Sequence, residues 1–382
     1  MNDILLARTR PAVPSLLGNF TICPARYLLE SESHTFERLP LHPGVILGHV
    51  VHQLANSVQH RTAMTGGYSI RHLENNFAAT LAATRRIGPV TDWIYKHHGI
   101  TGLVSRKTLV TQIRYTRTLI PPIARSVMPE REKTLPVGRE IKLTSCQFDM
   151  QGRADLIYQD ASNLLKIFDF KTGNVTDEQN QPKEAYLLQI AAYGMMVKEL
   201  VPEMSIGLVL TGVSDSWTGM LDKHLTEWAT SIIENLNELL QRNIPLSVYG
   251  LARPGMHCSG CSSRCSCPVY VEKLREQMQL FCVDRQYGGR DIYGHLLEVE
   301  SESNLLTLKV LLEDGSVVKV FRMPASAIHE PTKITGKKIA LYGLKTFNEL
   351  SAGRFPRNFY VIDVQDTRRS AFQFYCQCEE IN

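Results

Sequence analysis

The sequence predicts an α/β protein, a mixed sheet flanked by helices, followed by a smaller all-β, barrel-like domain. Three observations carry this. Residues 153–170 read as two strands about an Asp160–Asn163 turn and lead into a helix. Another strand, Ser205–Val213, and an amphipathic helix, Asp222–Arg242, follow. Past residue 282 helical periodicity gives way to five strand-like runs in about 80 residues, a barrel-like pattern. The domains are therefore expected at 1–282 and 283–382, with a helical insertion over roughly 60–130 of the first.

The 382 residues suffice for two domains of about 100–200 residues each. An apolar fraction of 43% and a charged fraction of 21% fit a globular protein. No apolar run is long enough for a membrane span. The opening MNDILLARTRP lacks the apolar core and cleavage site of a signal peptide, so a cytoplasmic location is expected. The net charge of +4 is mild and does not by itself announce a polyanion partner. It lies wholly in the first 282 residues, since residues 283–382 carry 13 basic and 13 acidic residues.

Taken in order, Pro14–Glu30 has a plausible cap at Ser15 and apolar residues at helical spacing, with a break at Cys23–Pro24. Gly44–Ser57 reads as a largely buried helix carrying His49 and His52. Histidines on an apolar helix are ordinarily satisfied core residues, so spacing alone gives neither a role. Tyr68–Val127 is mainly helical, with breaks at Gly88–Pro89 and Pro121–Pro122. Its basic run, Arg106, Lys107, Arg114, Arg117 and Arg125, is either a solvated face or a surface for a nucleic-acid backbone. Val137–Leu143 reads as a strand and includes Glu140.

The hairpin carries the chemistry. Antiparallel pairing would make Asp155 and Asp169 neighbours. Two adjacent carboxylates repel unless a cation lies between them, and hard oxygen ligands suit Mg²⁺ or Mn²⁺. Strand alternation points Lys171 to the face of Asp169. Gln189 and Tyr193, four apart, share a face of the next helix.

The ordered pattern G-x-x-D at Gly152–Asp155, D-x-K-T-G at Asp169–Gly173, then Gln189 and Tyr193, resembles the RecB-type nuclease domain of the PD-(D/E)XK superfamily. The resemblance covers roughly residues 14–270 and implies metal-dependent hydrolysis of DNA phosphodiester bonds. It implies that Asp155, Asp169, His52 and the Phe170 carbonyl bind Mg²⁺ or Mn²⁺. Lys171 would position the attacking water, and Gln189 and Tyr193 would support the site and contact the strand. Gly48 and His52 match the Gly-x-x-x-His of such domains, which also often carry an acidic residue where Glu140 stands.

Cys258, Cys261, Cys265 and Cys267 lie within ten residues, a density that reads as ligands for a metal or cluster. Four local thiolates would also suit Zn²⁺. Together with Cys23-Pro24-x-Arg26-Tyr27, the spacing Cys258-x₂-Cys261-x₅-Cys267-Pro268 resembles AddB-type and CRISPR-adaptation nucleases. That resemblance implies a [4Fe–4S] cluster on Cys23, Cys258, Cys261 and Cys267. Cys265 is the departure from the pattern, an extra thiol able to replace a neighbour.

The C-terminal strand pattern suggests an OB-type barrel. Tyr342, Phe347, Phe355 and Tyr360, with Lys345, Arg354 and Arg357, either stack on and track a single strand or are mostly core of a small β-domain, and an SH3-like barrel that docks proteins is the rival to the OB type. The expected substrate is single-stranded DNA or DNA ends, in repair, recombination or antiphage defence. No P-loop signature is present, so a separate helicase or defence-system protein is an expected partner. The rival reading is a nucleic-acid-binding or assembly subunit, inactive alone.

Overall fold

The structure is a computed structural model that describes residues 4–32, 36–57, 70–84, 87–119, 135–276, 289–346, 359–361 and 375–379. The expected boundary at 282/283 lies outside these residues, as does Arg125.

The chain opens with strand β1 (Leu5–Leu6), then helices α1 (Leu17–Ile22) and α2 (Pro24–Ser31), separated at Cys23. Cys23 is extended, and Pro24 begins α2, where its missing N–H costs nothing. Helices α3 (Pro43–Ser57), α4 (Ile70–Ala83), α5 (Pro89–Leu103) and α6 (Arg106–Thr118) follow. Pro89 starts α5, which confirms the expected break there, whereas Pro121–Pro122 lies outside the described residues.

The central sheet contains β2 (Gly138–Ser145), β3 (Met150–Gln159) and β4 (Leu165–Phe170). After α7 (Glu184–Leu200) come β5 (Ile206–Thr211) and β6 (Ser216–Met220). The order is β2-β3-β4-β5-β6, with only β4–β5 parallel among these neighbours. That parallel pair needs a crossover, and α7 supplies it. Because α7 is covered on most sides, Leu188 through Val197 are all buried, and its sequence reads as nearly continuous apolar residues. Gly18 permits the contact of α1 with α7: a Cβ there would stand 2.5 Å from Ala185 Cβ. Helix α8 (Lys223–Leu239) is capped by Asp222, whose side chain accepts the Leu225 N–H. The edge strand β6, missed from sequence, is five residues of alternating exposure.

After β7 (Leu246–Ser247), α9 (Val248–Leu251) and α10 (Pro268–Arg275), the chain enters the C-terminal sheet. Its strands are β8 (Gly289–Glu302), β9 (Leu305–Leu311), β10 (Val317–Pro324), β11 (Lys338–Thr346), β12 (Phe359–Val361) and β13 (Tyr375–Glu379). The sheet curls like a half-barrel. Strands β8, β9 and β10 form an antiparallel meander, and β11 pairs antiparallel with β8. Strand β12 bridges the two ends, parallel to β10 and antiparallel to β11. The first five strands match the sequence expectation, and β13 was not foreseen.

This sheet shares its core with the helical segment. Ile46, Val50, Phe77 and Ile94 of α3–α5 pack in one cluster with Leu296, Leu308, Val320 and Leu341. On the other side, Val51 and Ala55 of α3 and Tyr115 of α6 pack with Leu156 and Phe170 of the central sheet. The helical segment is therefore a layer between the two sheets, and α3 touches both. Of the two alternatives for Tyr342, stacking on nucleic acid or core, the structure gives core: it is fully buried among Tyr270, Tyr293 and Ala340. Phe347, Phe355, Arg354 and Arg357 lie outside the described residues, and the side chains of Lys345 and Tyr360 are not described.

Candidate active site

The β3–β4 register pairs Leu156 with Phe168, so Asp155 stands one step further on, opposite Asp169. Asp155 Oδ2 accepts the Phe170 N–H at 2.7 Å, which ties the first carboxylate to the strand that carries the second. On β2, Arg139 pairs with Leu156 and Ile141 with Ala154, leaving Glu140 between them opposite Asp155. Glu140 is left-handed, with φ of 52°, an uncommon backbone for a residue other than glycine, and it is ion-paired to Arg153 at 2.5 Å. His52 Nδ1 reaches to 3.7 Å from Asp155 Oδ1. One donor atom from each of His52, Glu140 and Asp155 lies within 4.8 Å of the other two. Glu140, a secondary candidate from sequence, thus belongs to the tightest group of metal-ligating atoms among the described residues.

Asp169 is the buried member of the site, only 3% exposed. Its Oδ1 accepts from Gln189 Nε2 at 3.0 Å. Its Oδ2 is buried and ion-paired with Lys171 Nζ at 2.8 Å. Lys171 Nζ donates to Gln189 Oε1 at 2.8 Å, so Gln189 bridges the lysine and the carboxylate.

The electrostatics follow from this crowding. Burial raises the proton affinity of Asp155, the charge of Asp169 adds to it, and the carboxyl is pushed up to about 7. Burial raises Asp169 as well, against the pull of Lys171. His52 is lowered, chiefly by burial, and its ring hydrogen-bonds the Phe170 backbone. A neutral imidazole keeps a lone pair for a metal. A buried and a half-buried carboxylate, both raised in proton affinity, and a neutral imidazole together fit a hard divalent cation.

Two glycines explain how the elements come close enough. A Cβ at Gly48 of α3 would stand 3.1 Å from Thr172 Oγ1, so this position brings the His52 helix against the end of β4. A Cβ at Gly152 would stand 2.7 Å from Tyr193 Cε1, so Gly152 leaves room for the tyrosine ring. Tyr193 hydrogen-bonds Gln189, and burial first, then Asp169, pushes its hydroxyl up to about 12. Helix α6 braces the same strand ends. Gln112 Nε2 donates to the Thr172 carbonyl at 3.0 Å, and the Tyr115 hydroxyl donates to the Thr211 carbonyl at 2.6 Å. Arg106, Lys107 and Arg114 are exposed on α6, while the Arg117 side chain is not described. Gln112, Tyr115 and Tyr186 were missed from sequence. Tyr186 had a signal, since 186, 189 and 193 continue one helical stripe.

A second site joins the chain's first helices to residues 252–270. Cys23, Cys258, Cys261 and Cys267 line one cavity with Arg26, Arg253 and His257. The Arg253 N–H points to Cys23 Sγ at 3.5 Å and the Gly255 N–H to Cys258 Sγ at 3.4 Å. Cys265 does not line the cavity, and its thiol approaches the Glu37 carbonyl at 3.6 Å. Burial pushes Cys261 up to about 12 and Cys267 up to about 11, so these thiols stay protonated without a cationic centre.

This fold and this site define a nuclease class. The chain matches the PD-(D/E)XK nuclease superfamily over residues 13–268 and belongs to that superfamily, whose fold implies use of a divalent metal. No curated protein matches it. Among solved structures, it is similar to "Putative exonuclease" from Eubacterium rectale, at 14% identity and a TM-score of 0.33, covering 62% of this chain and 83% of that one. It is also similar to SSO0001, at 13% identity and a TM-score of 0.24, covering 58% and 95%. Neither likeness bears on function. Among the described residues no helix is long and apolar enough to cross a membrane.

Proposed function

We propose that this chain is a Mg²⁺- or Mn²⁺-dependent deoxyribonuclease of the RecB type that acts on single-stranded DNA or DNA ends. Its setting would be repair, recombination or antiphage defence. The observation that carries the reading is the buried Asp169 carboxylate, ion-paired with Lys171 at 2.8 Å and opposite Asp155. Asp155, Asp169 and His52, with Glu140 and the Phe170 carbonyl, would hold the cation. Bound there, a divalent cation would lower the pKa of a water and offset charge on the attacked phosphate.

The chain's own groups do the rest. Gln189 fixes Lys171 and Asp169 relative to each other through its two amide ends. Lys171, one-fifth exposed, presents its ammonium to the site and orients the attacking water. Tyr193, lodged against Gly152 and bonded to Gln189, keeps that amide from turning. The exposed Arg106, Lys107 and Arg114, with Arg117 on the same helix, would follow the DNA backbone.

We read the cysteine cavity as a [4Fe–4S] site held by Cys23, Cys258, Cys261 and Cys267. Inclusion of Cys23 and exclusion of Cys265 support this over a local four-cysteine zinc site, and the N–H groups aimed at sulfur suit cluster thiolates. Bound, a cluster would cross-link the first helices to the end of the nuclease core. The strand order β11-β8-β9-β10-β12, with its parallel β10–β12 step and the β12–β11 pairing, supports the OB-type reading of the C-terminal sheet. A separate helicase or defence-system protein would supply unwound DNA.

The test is cleavage by anaerobically purified protein of labelled single- and double-stranded DNA, linear and circular, with Mg²⁺ or Mn²⁺. Cleavage by wild type and its loss in Lys171→Ala is the expected result. DNA binding without cleavage by either would favour the assembly-subunit reading. Absorption near ~400 nm would separate iron–sulfur from zinc, which has no such transition.

A further inference from the structure

Helix α7 presents a third group to the site. Tyr186 lies three residues before Gln189 and seven before Tyr193, so all three share one stripe facing the end of β4. Its half-buried ring packs against the main core, and Lys171 Nζ sits 4.9 Å from the ring centroid. The ammonium is then held from three sides: Asp169 Oδ2 at 2.8 Å, Gln189 Oε1 at 2.8 Å and the Tyr186 face. Lys183 Nζ lies 5.7 Å from the same ring and donates to the Asn174 carbonyl at 2.6 Å.

A lysine has four rotatable bonds, and a lysine that orients water must be held. Asp169 and Gln189 alone would leave Nζ free to swing outward toward solvent, where Lys171 is already one-fifth exposed. The Tyr186 face adds a further contact to the ammonium. It attracts the cation without accepting one of its protons, as a carboxylate would, so the third N–H stays available to the reacting water. A second carboxylate at this position would bind the ammonium more tightly but would add negative charge where a phosphate must enter.

We propose that Tyr186 is a positioning residue for Lys171, acting through a cation–π contact that keeps the ammonium directed into the site. This rests on the nuclease reading above, in which Lys171 orients the attacking water. The ring, not the hydroxyl, carries the effect, and the contact acts on turnover and not on DNA affinity.

The test uses the full-length, cluster-loaded protein. Tyr186→Phe keeps the ring and is expected within about twofold of wild type, whereas Tyr186→Leu loses about tenfold in kcat with KM unchanged. Mono-, di- and trifluorophenylalanine at 186 then weaken the π face at nearly constant shape, and log kcat is expected to fall with each fluorine. A flat fluorine series, or Leu equal to Phe, overturns the proposal, because ring packing alone is indifferent to the quadrupole. A metal-free thermal double-mutant cycle with Lys171→Met and Tyr186→Leu reads the same contact without catalysis. Non-additive Tm shifts support it, and additive shifts overturn it. If wild type cleaves nothing while the cycle is non-additive, the nuclease reading fails and the contact stands. If wild type cleaves and the fluorine series is flat, only the role of Tyr186 fails.

Discussion

Lys171 Nζ stands 2.8 Å from Oδ2 of the buried Asp169. The ammonium is the counter-charge of that carboxylate. Removing it therefore separates two roles. Lys171→Ala is expected to lose about 10²–10³-fold in single-turnover cleavage, the usual loss when one preorganised donor is removed. Mn²⁺ binding, followed by calorimetry, should persist, because the carboxylates and His52 remain. Cleavage at the wild-type rate would remove Lys171 from the mechanism.

The same carboxylates set a pH dependence. Asp155 is pushed up to about 7 by burial and by Asp169, and Asp169 is raised as well. The folded, metal-free protein therefore holds these protons more tightly than the unfolded chain does. The resulting stabilisation is complete below the ordinary carboxylate pKa of ~4 and is lost as pH rises through the raised values. A divalent cation must displace those protons, so it binds more tightly as pH rises. The metal-induced rise in Tm is expected to grow between about pH 5.5 and 8. Asp155→Asn should flatten that growth, and scanning calorimetry with and without Mn²⁺ checks it.

Gly152 offers a steric test of the Tyr193–Gln189 arm. A Cβ there meets Tyr193 Cε1 at 2.7 Å and Pro14 Cδ at 3.0 Å, neither of which is the free end of a flexible chain. The ring would have to shift and carry Gln189 with it. At Gly48 the Cβ meets the Thr172 hydroxyl at 3.1 Å, which a small adjustment relieves. Gly152→Ala should therefore lower kcat more than Gly48→Ala, with both folded by circular dichroism. Equal effects would mean that the tyrosine wedge does not transmit position to the amide.

What the sequence made legible was what local pattern encodes. Asp155 and Asp169 face each other because a short turn and period-two alternation set a hairpin register, and Gln189 and Tyr193 share a face because they are four apart on a helix. The four cysteines that line the cavity are the set that the family resemblance implied, whereas spacing alone left Cys265 and a local four-cysteine site open. What was hidden depended on packing between distant elements. Tyr342 has the composition of a stacking residue, but its strand turns it into the core. Gln112 and Tyr115 act on the site only because α6 lies across the ends of β4 and β5, which no local spacing announces. The layer of α3–α6 between the two sheets was likewise illegible, since an amphipathic helix does not name the surface it covers.

Arg264 and Asp291 join the cysteine loop to the first strand of the C-terminal sheet. The carboxylate accepts from Arg264 Nε at 2.6 Å, Arg264 Nη2 at 3.1 Å, the Tyr270 hydroxyl at 2.7 Å and the Gly343 N–H at 2.7 Å. Arg264 also donates to the carbonyls of Ser259 and Cys261, at 3.1 Å each, so one guanidinium spans the loop and the strand. Burial opposes its charge, but Asp291 more than offsets that and holds the guanidinium above its usual value. Asp291→Ala would leave that charge buried and uncompensated, a loss of roughly 3–5 kcal/mol. Both the loop that positions Cys258 and Cys261 and the β8–β11 pair would loosen together. The variant is expected to show a lower Tm and, with the cluster proposed above in the cavity, less iron and ~400 nm absorption per chain. Asp291→Asn should fall between it and wild type, because an amide oxygen still accepts from Arg264 while the charge is lost. Full iron content in a destabilised Asp291→Ala protein would show that the sheet and the cysteine cavity are energetically separate.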